Sequence, residues 1–199
     1  MAEPVAATAI VLAGGSSSRF GSDKLTADLN GEPLLHHAIR AVAGVCTEIL
    51  VVGPPTGLPS SLPDAPAAMR VILDRNAHQG PLVALAQAAR EAAHDRLLLV
   101  AGDMPELQGP VLRRLLAWRE GRAGACLVVG IEAQPIPAGL DRRATAERGG
   151  FLVQAGERSL KALIGVLDME RVPEAGWRAL DPEGRSLHDI DRPGDLAAM

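Results

Sequence analysis

Residues 5–13 read V-A-A-T-A-I-V-L-A and run straight into Gly14-Gly15-Ser16-Ser17-Ser18-Arg19-Phe20-Gly21-Ser22-Asp23-Lys24. The first part is apolar on successive positions, contains β-branched residues and stops at a glycine pair. That pattern predicts a buried strand opening into a loop. Outward from it, the chain alternates. Pro33 stands where a first helical turn starts, and residues 34–43 have a helical period. Residues 48–53 and 69–74 read as strands, separated by a Pro/Gly/Ser-rich surface loop over 54–66. Gly80-Pro81 opens an alanine-heavy helix to about residue 94. Residues 96–101 form the most apolar strand, 110–119 a helix and 125–131 another strand. Alternation at these lengths implies an α/β fold: a doubly wound, mostly parallel sheet with right-handed crossovers. The last third is less regular. Short strands at 151–154, Val172 and 179–180, around a helix over 159–167, predict a mixed edge to the sheet.

The composition sets the frame. A chain of 199 residues suits one domain spanning 1–199, and 47% hydrophobic content excludes global disorder. A net charge of −4 argues against a nucleic-acid binder, and 2% aromatics with no Tyr leave no base-stacking platform. No apolar run reaches the roughly 18 residues of a membrane span. Cys46 and Cys126 lie in apolar stretches and read as reduced core thiols. The expectation is a cytoplasmic protein with no membrane and no nucleic-acid partner, as a monomer.

In open α/β sheets, ligands bind beyond the carboxyl ends of the strands. The residues just past each strand therefore sample the site. After the first come the glycines, hydroxyls, Arg19 and Lys24; after the third, Asp74; after the fourth, Asp103; near the end, Asp189-Ile190-Asp191. This set suits a nucleoside triphosphate with a divalent cation. The loop has neither P-loop spacing nor G-x-G-x-x-G, and no G-x-S-x-G occurs in the chain. Its backbone N–H groups can still face phosphate oxygens, with Arg19 as a planar fork and Lys24 as a point charge. A glycine pair alone more often marks an ordinary turn. Asp103 alone is as readily a turn former as a ligand, but Pro105 keeps its carboxylate out of a helix, and Mg²⁺ sites use one or two carboxylates plus phosphates. Asp191 is the natural second ligand. The five histidines show no zinc spacing, and no convincing His–carboxylate pair stands out.

Leu12-Ala13-Gly14-Gly15 with Ser17, Arg19, Phe20, Gly21, Asp23 and Lys24 resembles the L-A-G-G-x-S-x-R-[MF]-G-x-D-K signature of nucleotidyltransferases. Asp74, Gly80-Pro81-Leu82, Gly102-Asp103-Met104-Pro105, residues 134–140, residues 156–160 and residues 191–196 narrow the resemblance to the molybdenum cofactor guanylyltransferases of the MobA type. It covers about residues 8–197. It implies a Rossmann-like nucleotidyltransferase fold. It also implies transfer of GMP from GTP to the phosphate of molybdopterin, with Mg²⁺ as cofactor, release of pyrophosphate, and molybdoenzymes or cofactor chaperones as further partners. By the same resemblance Leu12, Ala13, Gly14, Gly15, Lys24, Gly53 and Asp74 line the nucleotide, and Asp103 holds Mg²⁺, joined by Asp191. Arg19, Lys24 and Asp103 are the residues expected to serve catalysis. Gly53 stands where an Asn can occur. Asp189-Ile190-Asp191 matches the Asp-x-Asp of related cytidylyltransferases more than the Asn-x-Asn of many guanylyl enzymes. Three readings stay open: the guanylyltransferase, a related cytidylyl- or sugar-phosphate nucleotidyltransferase, and a nucleotide-binding protein without catalysis.

Overall fold

The computed structural model describes residues 3–14, 24–54, 58–74 and 79–196. In chain order it contains β1 (Val5–Leu12), β2 (Asp28–Leu29), β3 (Glu32–Pro33), α1 (Leu34–Ala43), β4 (Cys46–Gly53), β5 (Ala68–Leu73), α2 (Pro81–Glu91) and β6 (Arg96–Ala101). There follow α3 (Gly109–Leu116), β7 (Gly124–Val129), β8 (Glu132–Asp141), α4 (Arg142–Gln154), α5 (Leu160–Val166), β9 (Met169–Val172), α6 (Glu174–Arg178) and α7 (Pro193–Leu196). Short 3₁₀ turns lie at Lys24–Thr26 and Arg185–Leu187.

Seven strands form one sheet in the order β5-β4-β1-β6-β8-β7-β9, while β2 and β3 make a separate small hairpin. β1 sits between β4 and β6 and is covered on both faces. Ala9 and Val11 join the cluster under α1 and α3, and Ile10 and Leu12 join the one under α2 and α5. Burial on alternate faces explains the near-continuous apolar run in its sequence. α1 turns Leu35, Ala38, Ile39 and Val42 to the first cluster, and α2 turns Leu82, Leu85, Ala88 and Ala89 to the second. That spacing is one face of a helix. All strand pairs of the sheet are parallel except those of β8, which runs antiparallel to β6 and to β7. The mixed part of the sheet thus lies toward its C-terminal edge, as the irregular last third predicts.

Three local expectations change. Residues 151–154 are not a strand but the end of α4, which starts at an Asp141 side chain accepting the Ala144 N–H. Ala179 and Leu180 are not a strand either; they follow α6, and the Leu180 N–H donates to the Trp177 carbonyl at 2.9 Å. α2 ends at Glu91 rather than near residue 94. The Ala93 N–H donates to Glu48 Oε2 at 2.8 Å and the His94 N–H to Thr8 Oγ1 at 3.2 Å, so the backbone is drawn to the sheet instead of continuing the helix.

Candidate active site

The parallel strands deliver their ends to one rim, where backbone hydrogen bonds tie them together. The Ala13 N–H donates to the Val52 carbonyl at 2.7 Å, Gly102 to Leu12 at 2.9 Å and Asp74 to Gly53 at 2.8 Å. Leu12 and Ala13 are buried, so only their main chain can serve a ligand. Asp74 is 8% exposed at the end of β5. Two of the glycines here are closely packed. A Cβ on Gly102 would stand 2.7 Å from Leu35 Cδ1, and one on Gly53 would stand 3.0 Å from the Ala13 carbonyl oxygen. Gly14 differs: it is exposed, and among the described residues a Cβ there would meet Pro54 Cδ alone, at 3.8 Å. The described residues therefore leave room for a side chain at that position.

The centre of the rim is an ion triad. Lys24 begins a 3₁₀ turn that Leu25 anchors in the core, and this sends its ammonium across the end of β6. Lys24 Nζ lies 2.6 Å from Asp103 Oδ2 and 3.3 Å from Asp191 Oδ1. Burial works against the lysine's charge, but the hydrogen bonds and charges of the two carboxylates outweigh it and raise its pKa above the ordinary lysine value. Asp189 stands beside them. Desolvation, then the negative charges of Asp191 and Asp103, push its carboxyl above the usual carboxylate range. Asp191 reaches this place because the Ile190 N–H donates to the Asp103 carbonyl at 3.0 Å. The Ile190 side chain packs with Leu29 and Leu34. Asp195 accepts the N–H groups of Asp191 and Arg192 at 2.9 and 2.8 Å, closing the turn into α7.

Lys24, Asp103 and Asp191, separated in sequence, are thus brought together, with Gly14, Gly53 and Asp74 on neighbouring strand ends. Gly15 and Arg19 lie outside the described residues. Two carboxylates converging on one cationic point could, together with the oxygens of a triphosphate, hold Mg²⁺. Toward the other side, β8 places Ala138 opposite Leu99, so residues 134–136 lie level with the end of β6. His188 Nδ1 and Glu106 Oε2 are 3.3 Å apart on the exposed flank, a His–carboxylate pair that sequence spacing hides. The Gly80-Pro81-Leu82 and 156–160 segments also meet: the Leu82 N–H donates to the Arg158 carbonyl at 3.3 Å. Among the described residues, no helix is long and apolar enough to cross a membrane.

Residues 9–171 match the MobA-like NTP transferase domain. The chain belongs to that family of nucleotidyltransferases. It is 32% identical to the probable molybdenum cofactor guanylyltransferase of Mycobacterium avium, over all of this chain (100%) and 98% of that one. The protein of the same name from Synechococcus elongatus is 40% identical across 112 residues, and this match spans about half of each chain, 56%. Among solved structures, molybdopterin-guanine dinucleotide biosynthesis protein A of Archaeoglobus fulgidus shares the fold. Its TM-score is 0.74 at 20% identity, over 96% of this chain and 95% of that one.

Proposed function

We propose that this chain transfers GMP from GTP to the terminal phosphate of molybdopterin, releasing pyrophosphate. The observation that carries the reading is the convergence of Asp103 and Asp191 on the Lys24 ammonium at the strand ends of a MobA-like domain. An acceptor phosphate oxygen attacks the α-phosphorus. The bond to the β-phosphate oxygen breaks, and its electron pair leaves with pyrophosphate. The nucleophile is already ionised at neutral pH, so the protein needs no general base, and positioning with charge neutralisation dominates. Asp103 and Asp191 would hold Mg²⁺, which supplies a Lewis acid for the α-phosphate and offsets charge between two anions. Lys24, with Arg19 and the amides of the glycine loop, would neutralise the departing pyrophosphate. Leu12, Ala13, Gly14, Gly15, Gly53 and Asp74 would line the nucleotide. Residues 134–136 of β8 would face the acceptor.

A second reading, cytidylyl transfer on the same site, is favoured by one observation: Asp189 and Asp191 replace the amide pair of many guanylyl relatives. Pyrophosphate release measured with each of the four nucleoside triphosphates, with and without molybdopterin, tests both. Release that needs GTP and molybdopterin supports the proposal. Release with CTP instead replaces it, and binding without any release leaves a non-catalytic nucleotide binder.

A further inference from the structure

Between α6 and Asp191 the chain is polar and mostly irregular, yet two of its polar side chains are as deeply buried as the core: Asp181 at 3% exposure and Ser186 at 0%. Neither buries apolar area, so the hydrophobic effect does not account for their position. Their hydrogen bonds do. Asp181-Pro182-Glu183-Gly184 is a tight turn in which the Gly184 N–H donates to the Asp181 carbonyl at 3.0 Å. The Asp181 carboxylate accepts the next two free amides, Arg185 N–H at 3.0 Å and Ser186 N–H at 2.8 Å. The Ser186 hydroxyl then accepts the Gln108 N–H at 3.0 Å. Gln108 ends the loop that begins at Asp103, and the other end of that loop is held by the Ile190 N–H on the Asp103 carbonyl, at 3.0 Å. The two segments that carry the rim carboxylates are therefore clasped at two points, one beside Asp103 and one through Ser186. A buried carboxylate saturated by backbone donors is a rigid fixing point, because every alternative arrangement leaves a charge or an amide unpaired.

We propose that Asp181 and Ser186 are positioning residues for the divalent ion: through Gln108 they set where Asp189 and Asp191 stand against Asp103. The inference rests on the reading that Asp103 and Asp191 hold the metal. Mutating outer residues that orient metal ligands typically costs about 10–100-fold in metal affinity.

The test uses Mn²⁺ as the probe, titrated by electron paramagnetic resonance into the full chain saturated with α,β-methylene GTP. Wild type is compared with Ser186→Ala, Asp181→Asn and, as reference, Asp191→Asn. Ser186→Ala removes a single acceptor and carries the test if Asp181→Asn does not fold. Asp191→Asn and Ser186→Ala are each expected to weaken Mn²⁺ binding by about tenfold. Binding of the analogue in EDTA should stay at its wild-type value in Ser186→Ala. Loss of Mn²⁺ affinity in Asp191→Asn with wild-type affinity in folded Ser186→Ala overturns the positioning role alone. Wild-type Mn²⁺ affinity in Asp191→Asn overturns the metal assignment and the positioning role with it. Equal weakening of Mn²⁺ and of metal-free analogue binding in Ser186→Ala shows a general structural role and also overturns the proposal.

Discussion

Carboxylates stand at two places on this sheet, one alone and three together, and they are treated in opposite ways. Near the N-terminal ends of the strands stands Glu48, buried and saturated. Thr8 Oγ1 donates to it at 2.6 Å, the Ala93 N–H at 2.8 Å and Arg70 Nη2 at 3.0 Å. Burial alone would raise the Glu48 carboxyl, but these donors outweigh it and hold it below the ordinary value. At the opposite rim, Asp103, Asp189 and Asp191 gather around Lys24, and the carboxyl of Asp189 is pushed up rather than down. The first spends its charge inside the protein, joining β1, β4, β5 and the end of α2. The second sets three carboxylates against one ammonium among the described residues, and on the proposed reading this is where a cation would be held. The same residue type is locked into the scaffold where its donors suffice, and where they do not it stands at the rim that the proposed reading makes the site.

The comparison breaks most plainly at Asp103. Asp103→Asn should lower pyrophosphate release by about a thousandfold, the ~4 kcal/mol that charge stabilisation at a reacting phosphate commonly supplies, with a melting temperature close to wild type. Near-normal turnover at ordinary Mg²⁺ would place Asp103 with the scaffold. Glu48→Ala should do the reverse. It strands Arg70 and two backbone or hydroxyl donors, so it should cost about 3 kcal/mol and lower the melting temperature by roughly 6–12 °C, with kcat in the folded protein unchanged. The depressed carboxyl fixes the sign with pH. Its stabilisation is fully present above the unfolded glutamate value and is lost as pH falls through the lower folded value. Wild type should therefore lose stability on acidification more steeply than Glu48→Ala, and parallel pH curves in denaturant titrations would contradict the assignment.

Lys24→Ala sharpens the contrast, because one ammonium serves both the carboxylates and the proposed triphosphate. GTP binding should weaken by about tenfold, near 1.4 kcal/mol, while guanosine is little affected. With no nucleotide present, Mn²⁺ should bind more tightly than to wild type, since the competing charge is gone. Equal losses for GTP and guanosine by calorimetry would remove Lys24 from the phosphate site. Gly14→Ala is the smallest change. With no close contact to its Cβ position among the described residues, a stability change within about 0.5 kcal/mol is expected. A selective loss of GTP over CTP in competition binding would then report the nucleotide alone, and equal losses would separate Gly14 from base choice.

Much of this fold is legible in the residues. The buried run of β1, the helix after Pro33 and the apolar run before Gly102-Asp103 are local patterns, and local patterns locate strand ends and the residues just past them. Residues 151–154 mislead because Phe-Leu-Val-Gln favours a strand by composition. The helix prevails through packing: Gly149 lets α4 settle on Ala86 of α2, where a Cβ would stand only 3.3 Å away. The buried Asp181 and Ser186 are hidden for another reason. Their meaning lies in partners up to 78 residues distant, as with Gln108 and Ser186, and no periodicity records such a bond. The only available signal is the Asp181-Pro182-x-Gly184 turn, which predicts a bend without saying what it clasps.

The place of Asp191 in the chain gives the enzyme a sequence of assembly in time. During synthesis β1, β4, β5 and β6 emerge first, and their parallel contacts can form before β8 enters beside β6. At that stage the growing polypeptide already carries the glycine loop, Lys24 and Asp103, but only half of the carboxylate pair. The partner arrives after β9 and is set down onto Asp103 through Ile190. The triad of Lys24, Asp103 and Asp191 can thus close only after the C-terminal segment has been made, and on the proposed reading nucleotide binding would precede catalytic competence in the order of translation.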